Sequence, residues 1–117
     1  MFHIYHNPRC RKSREALEIL RNQNVSHKIV FYLKEPFSKN KLKHILNKIK
    51  LKPSEIVRKN EQEWKSIPHP KKMSENQILD ILIAKPKLIE RPIVTNKESG
   101  VLARPIDNLI EFLKKSL

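Results

Sequence analysis

The segment Tyr5-His6-Asn7-Pro8-Arg9-Cys10-Arg11-Lys12-Ser13-Arg14 contains the only cysteine of the chain, with an arginine on each side and a histidine four residues before it. A free thiol with a pKa of about 8.5 is only ~3% thiolate at pH 7, and the thiolate is the nucleophile. Lowering that pKa by about two units makes the thiolate the dominant form. The start of a helix favours negative charge through its unpaired backbone N–H groups and its dipole, and Arg9, Arg11 and Lys12 add positive charge. The same N–H groups can cradle a tetrahedral oxyanion, so a nucleophile and an anion site would coincide. The other role open to a lone cysteine is that of a small buried hydrophobe, against which the polar neighbours argue. His6 can hydrogen-bond the thiolate or assist a proton transfer, or it can simply cap the end of a strand.

A lone cysteine excludes an internal disulfide, a C-x-x-C pair and a multi-cysteine zinc cluster. His3 and His6 point to opposite faces if the strand continues, and no fourth ligand is near Cys10, so no metal is expected. His27, His44 and His69 have no ligand spacing and read as surface residues. The 117 residues suit one domain, and the formal net charge of +13 would attract nucleic acid, anionic membranes or small oxyanions. Much of that charge is lysine on helix surfaces, where a solvated face is the ordinary outcome. Aromatics are only 6% of residues, too few for a base-stacking surface, and nucleic acid is not an expected partner. Met1 to Tyr5 is too short for a signal core and Asp80 interrupts the apolar run Ile78 to Ala84, so the expectation is a cytoplasmic protein without a membrane span.

The elements that must position Cys10 follow from periodicity. Phe2 and Ile4 alternate with His3 and Tyr5, a strand over Met1 to Tyr5 that stops at Asn7-Pro8. From Ser13 onward Ala16, Leu17 and Leu20 recur at helical spacing until Asn22 and Asn24, and His27 to Leu33 reads as a second strand ending near Glu35-Pro36. Ser38 to Lys50 is an amphipathic helix carrying Leu42, Ile45, Leu46 and Ile49. Pro53-Ser54-Glu55 starts a short helix bearing Ile56, Val57 and Arg58, a further turn falls at Gln62 to Lys65, and Pro68-His69-Pro70 breaks it. Ser74 and Gln77 form a capping box before Ile78, Ile81 and Leu82, in a helix that Pro86 closes. Arg91 to Thr95 is a strand, Lys97 to Gly100 a hairpin turn into Val101-Leu102, and Ile106, Leu109, Ile110 and Leu113 mark a last helix. That order predicts a thioredoxin-like α/β fold in three layers, with a small mixed four-stranded sheet. The whole of residues 1–117 is expected as one domain, with a helical insertion over about 38–87.

Y-H-N-P-x-C-x-x-S-R resembles the active-site loop of the thioredoxin-like, glutaredoxin-coupled arsenate reductase family, part of the superfamily that also holds the Spx regulators. Ile56-Val57-Arg58-Lys59-Asn60 is similar to that family's arginine-bearing segment, Leu88 to Val94 to its R-P-I-V stretch, and Ala103-Arg104-Pro105 to its final R-P motif. The resemblance implies that Cys10 is the nucleophile, that His6 tunes it, and that Arg58, Arg91 and Arg104 hold the oxyanion. Read without it, the three arginines are ordinary surface charge. It also implies supporting roles for Asn7, Ser13 and Arg14, and a cis peptide before Pro92. The implied activity is reduction of arsenate to arsenite through a thiol–arsenic adduct. Ser13 stands where a C-x-x-C protein has its resolving cysteine, so the reductant comes from outside, and the family uses glutathione and then glutaredoxin. No bound cofactor is implied, and a monomer is expected.

Two other readings use the same thiol. A glutathione-dependent thiol reductase needs Cys10 but not three oxyanion-binding arginines, and an Spx-type regulator of RNA polymerase usually senses oxidation through a C-x-x-C pair, absent here.

Overall fold

A strand Phe2–Tyr5 (β1) leads through a short loop into a helix Arg11–Asn22 (α1) in the computed structural model, which describes every residue except His69 and the side chain of Pro70. The expectation for His69 lies outside the described residues. The strand His27–Val30 (β2) follows, and later in the chain come strands Ile93–Thr95 (β3) and Gly100–Leu102 (β4) and a last helix Asp107–Ser116. The four strands form one mixed sheet in the order β2-β1-β3-β4, with β1 parallel to β2 and antiparallel to β3, and β3 antiparallel to β4.

Alternation along the strands places Phe2, Ile4 and Val94 on one sheet face, with Ile4 directly opposite Val94. Ala16, Leu17 and Leu20 of α1 and Leu109, Phe112 and Leu113 of the last helix pack on that face in a single apolar cluster. Phe2 and Phe112 meet edge to face, their ring centroids 5.9 Å apart. The stripe of the last helix therefore runs through Phe112, and Ile110, predicted to belong to it, is 38% exposed.

Between β2 and β3 the chain contributes helices Lys39–Ile49 (α2), Gln62–Lys65 (α3) and Glu75–Ala84 (α4), which makes Asp107–Ser116 α5. Short 3₁₀ turns occupy Pro53–Ile56, Pro70–Lys72 and Pro86–Leu88. Ser38 caps α2 by accepting from the Lys41 amide at 3.1 Å. The Ser74–Gln77 box forms in both directions, at 3.1 and 2.8 Å. The fold divides into two compact units, Met1–Glu35 with Arg91–Leu117, and Pro36–Glu90.

Three local expectations need correction. The short helix expected to bear Val57 and Arg58 ends at Ile56, because Val57 is extended and bridges Ile89. The strand predicted to reach Leu33 stops at Val30, because the amides of Lys34 and Glu35 both donate to the Phe31 carbonyl at 2.9 Å and curl the chain into a turn. Tyr32 in that turn is buried, whereas Phe31 and Leu33 are 39% and 42% exposed. The β3–β4 turn does not depend on Gly100, which belongs to β4 and has no positive φ. Its organiser is Asn96, whose Oδ1 accepts from the amides of Glu98 and Ser99 at 3.0 and 2.8 Å.

Candidate active site

The thiol-bearing loop is built by short-range hydrogen bonds. Asn7 Oδ1 accepts from the Arg9 amide at 3.0 Å, and the Asn7 carbonyl accepts from the Cys10 amide, also at 3.0 Å. Cys10 is in extended conformation at the N-cap of α1, and its carbonyl accepts the first helical bond, from the Arg14 amide. The Arg14 guanidinium closes the loop by donating to the Pro8 carbonyl at 2.9 Å. Behind it, buried Ser13 Oγ lies 2.6 Å from His6 Nδ1 and accepts from the Asn7 amide at 3.1 Å. His6, Asn7, Cys10 and Ser13 are all under a tenth exposed.

Sheet register brings the distant arginines of the same unit to this end. Tyr5, the last residue of β1, pairs with Ile93, the first of β3, and Ile93 pairs with Leu102, the last of β4. Arg91, just before β3, and Arg104, just after β4, therefore emerge at the end of the sheet where β1 delivers His6. Arg104 Nη1 donates to the Arg91 carbonyl at 3.3 Å. The Arg91–Pro92 peptide is cis, as the family resemblance implied, and so is Arg104–Pro105, which was not foreseen.

Burial pushes the Cys10 thiol up, but a hydrogen bond from Arg91, the Ser13 amide, the Arg91 charge and the Lys12 amide together bring it below its ordinary value. The two amides act as dipoles of the open first turn, since the Cys10 side chain makes no formed N-cap bond. This corrects the source of the charge: Arg9, Arg11 and Lys12 are exposed, and no side-chain charge of theirs is among the causes. Arg11 instead turns to Glu15 on the helix surface, at 3.6 Å. Among the described residues Arg91 Nε is a buried donor with no hydrogen-bond partner. A donor of that kind beside the Cys10 thiol suits an anionic oxygen. His6 is lowered by burial and by the charges of Arg21 and Arg14, which favour the neutral ring.

Arg58 belongs to the other unit, Pro36–Glu90. It follows Val57, which forms a bridge with Ile89, and its amide donates to the Leu88 carbonyl at 2.7 Å. The guanidinium is engaged there: Nη1 is 2.9 Å from Glu61 Oε1 and 3.2 Å from the Lys87 carbonyl. Glu61 was not foreseen as the partner of Arg58, although an acid three residues after an arginine is a recognisable pairing signal. The Ser13–His6 bond was missed as well, because no sequence periodicity reports it.

His44 is exposed, and His27, half-buried, has Nδ1 2.8 Å from the Val25 carbonyl. Among the described residues no group of three or more His, Cys, Asp or Glu is placed to hold a metal ion, and no helix is long and apolar enough to cross a membrane.

The model of the ArsC family matches residues 5–112. An arsenate reductase of Haemophilus influenzae is 33% identical over 112 residues, 94% of this chain and 97% of that protein. YfgD of Escherichia coli K12, a protein described as uncharacterized, is also 33% identical over 112 residues, 94% of each chain. The solved structure of an arsenate reductase from Vibrio cholerae matches with a TM-score of 0.88 at 32% identity, over 94% of this chain and 95% of that one.

Proposed function

The chain belongs to the ArsC family, and from that membership we propose that it is an arsenate reductase whose nucleophile is Cys10. The observation that carries the reading is a thiol held below its ordinary pKa at the start of α1, next to a guanidinium with an unmet buried N–H. Cys10 thiolate attacks arsenic(V) and displaces water or hydroxide, giving a thiol–arsenic adduct. Arg91 and Arg104, with Arg58 on the strength of the family resemblance, take the oxyanion. Planar guanidinium forks match tetrahedral oxyanions bidentately and keep their charge at neutral pH. Asn7 and Arg14 hold the loop, and Pro92 and Pro105 follow the two arginines at the sheet end.

Reduction of arsenic(V) to arsenic(III) takes two electrons, which two external thiols supply as they join in a disulfide. Glutathione and then glutaredoxin fill these places, as in the family, because Ser13 offers no second thiol. Arsenite then leaves and Cys10 regains its proton. A thiol-reducing compartment such as the cytoplasm suits this cycle.

The test is arsenate-dependent NADPH oxidation with glutathione, glutaredoxin and glutathione reductase, with the Cys10→Ser protein in parallel. Turnover by the wild type alone is expected. No turnover from folded, fully reduced wild-type protein would overturn the reading.

A further inference from the structure

Ser13 sits in the first turn of α1 with no exposed surface, and its hydroxyl meets two groups of the preceding loop. The Asn7 amide donates to Oγ at 3.1 Å, and His6 Nδ1 lies 2.6 Å from the same oxygen. A hydroxyl has one proton to give and two lone pairs to receive with. A peptide N–H is a donor only, so the Asn7 amide cannot take the serine proton. Among the hydrogen bonds of the described residues, the one acceptor within reach of that proton is His6 Nδ1. Were Nδ1 to carry hydrogen instead, Ser13 Oγ would receive two donors and leave its own proton unpaired in the interior, an arrangement folded proteins avoid.

We infer that Ser13 is a positioning residue that holds His6 as the neutral imidazole with its proton on Nε2. The surroundings of the ring agree. Arg21 and Arg14 are the charges that act on it, both disfavouring a second proton, and its ring neighbour Phe31, centroid 5.9 Å away, is apolar. Because Nδ1 is occupied, any part His6 takes at the thiol or at a bound oxyanion is played through Nε2–H, as a hydrogen-bond donor and not as a base. The serine that leaves this chain without a resolving thiol thus has its own task, to set which ring nitrogen carries the proton. The inference rests on hydrogen-bond geometry and holds whatever oxyanion Cys10 attacks.

The histidine ring nitrogens report it directly in ¹⁵N-labelled protein, through two-bond proton–nitrogen correlation spectra near neutral pH. The chain has five histidines, so the His6 pattern is assigned by its loss in His6→Gln. Wild-type His6 is expected to show an unprotonated Nδ1 and a protonated Nε2. In Ser13→Ala the Nδ1 signal should move away from the unprotonated position as the other tautomer becomes populated, and Ser13→Thr, which keeps the hydroxyl, should retain the wild-type pattern. A wild-type ring protonated on Nδ1, or a pattern unchanged in Ser13→Ala, would overturn the inference. Should Ser13→Ala not fold, the wild-type spectrum still decides which nitrogen carries the proton.

Discussion

The Cys10 thiol is pulled in opposite directions by its surroundings: burial favours the neutral thiol, while Arg91 and the amides of the first helical turn favour the thiolate, and the second set prevails. Removing Arg91 leaves burial less opposed, so in Arg91→Ala the thiol pKa rises and less thiolate is present at neutral pH. The rate of iodoacetamide alkylation, followed from acid to alkaline pH, should then rise at higher pH than in the wild type. At neutral pH it should be lower by about tenfold, the equivalent of one lost charge-assisted hydrogen bond. Superimposable alkylation profiles would show that Arg91 does not set the thiol. Glu61 offers a second test. Its carboxylate holds Arg58 at 2.9 Å and, if Arg58 takes the oxyanion as proposed, competes with it for that guanidinium. Glu61→Gln is therefore expected to lower the KM for arsenate about threefold, the scale of a partly exposed ion pair, with little change in kcat. A raised KM would mean that Glu61 serves the site by orienting Arg58. At this scale the loop residues were legible, since Cys10 and its neighbours lie within ten positions. The charge that acts on the thiol was not, because it comes from Arg91 across the sheet and not from the arginines beside Cys10 in sequence.

Elements were legible wherever a local signal was complete. The Ser74–Gln77 box, an apolar stripe and a closing proline defined α4, and the helix forms with both bonds of the box in place. Ser74→Ala removes the acceptor for the Gln77 amide and should cost about 1 kcal/mol. The measurement is the urea midpoint of unfolding, which should fall with an unchanged m-value. Gln77→Ala on top of it should cost less than it does alone, because the two side chains cap one turn reciprocally. Full additivity would show that the two halves act independently. Elements were misread where side-chain type and backbone bonding disagree. Phe31, Tyr32 and Leu33 have strand-forming side chains, yet the Phe31 carbonyl accepts two turn bonds and the strand ends at Val30. Gly100 invited a turn, and the amide-binding side chain of Asn96 built that turn instead.

For the whole molecule the question is whether the net charge of +13 has a use. Composition could not answer it, because a lysine on a solvated helix and a lysine in a steering field look the same in a sequence. Nor could composition show that the chain folds as two units, which depends on contacts between segments far apart in sequence. A small dianionic substrate makes the question answerable. A surface potential of one sign raises the local concentration of an oppositely charged substrate, and salt suppresses it once the Debye length falls from ~30 Å at 0.01 M to ~8 Å at 0.15 M. If the field as a whole gathers arsenate, kcat/KM should fall about threefold over that range of sodium chloride, while kcat, measured at saturating arsenate, stays level. A kcat/KM that holds constant would assign anion capture to the short-range contacts of Arg91 and its fellow arginines alone, and the remaining positive charge would then be a solvated surface without a part in the reaction.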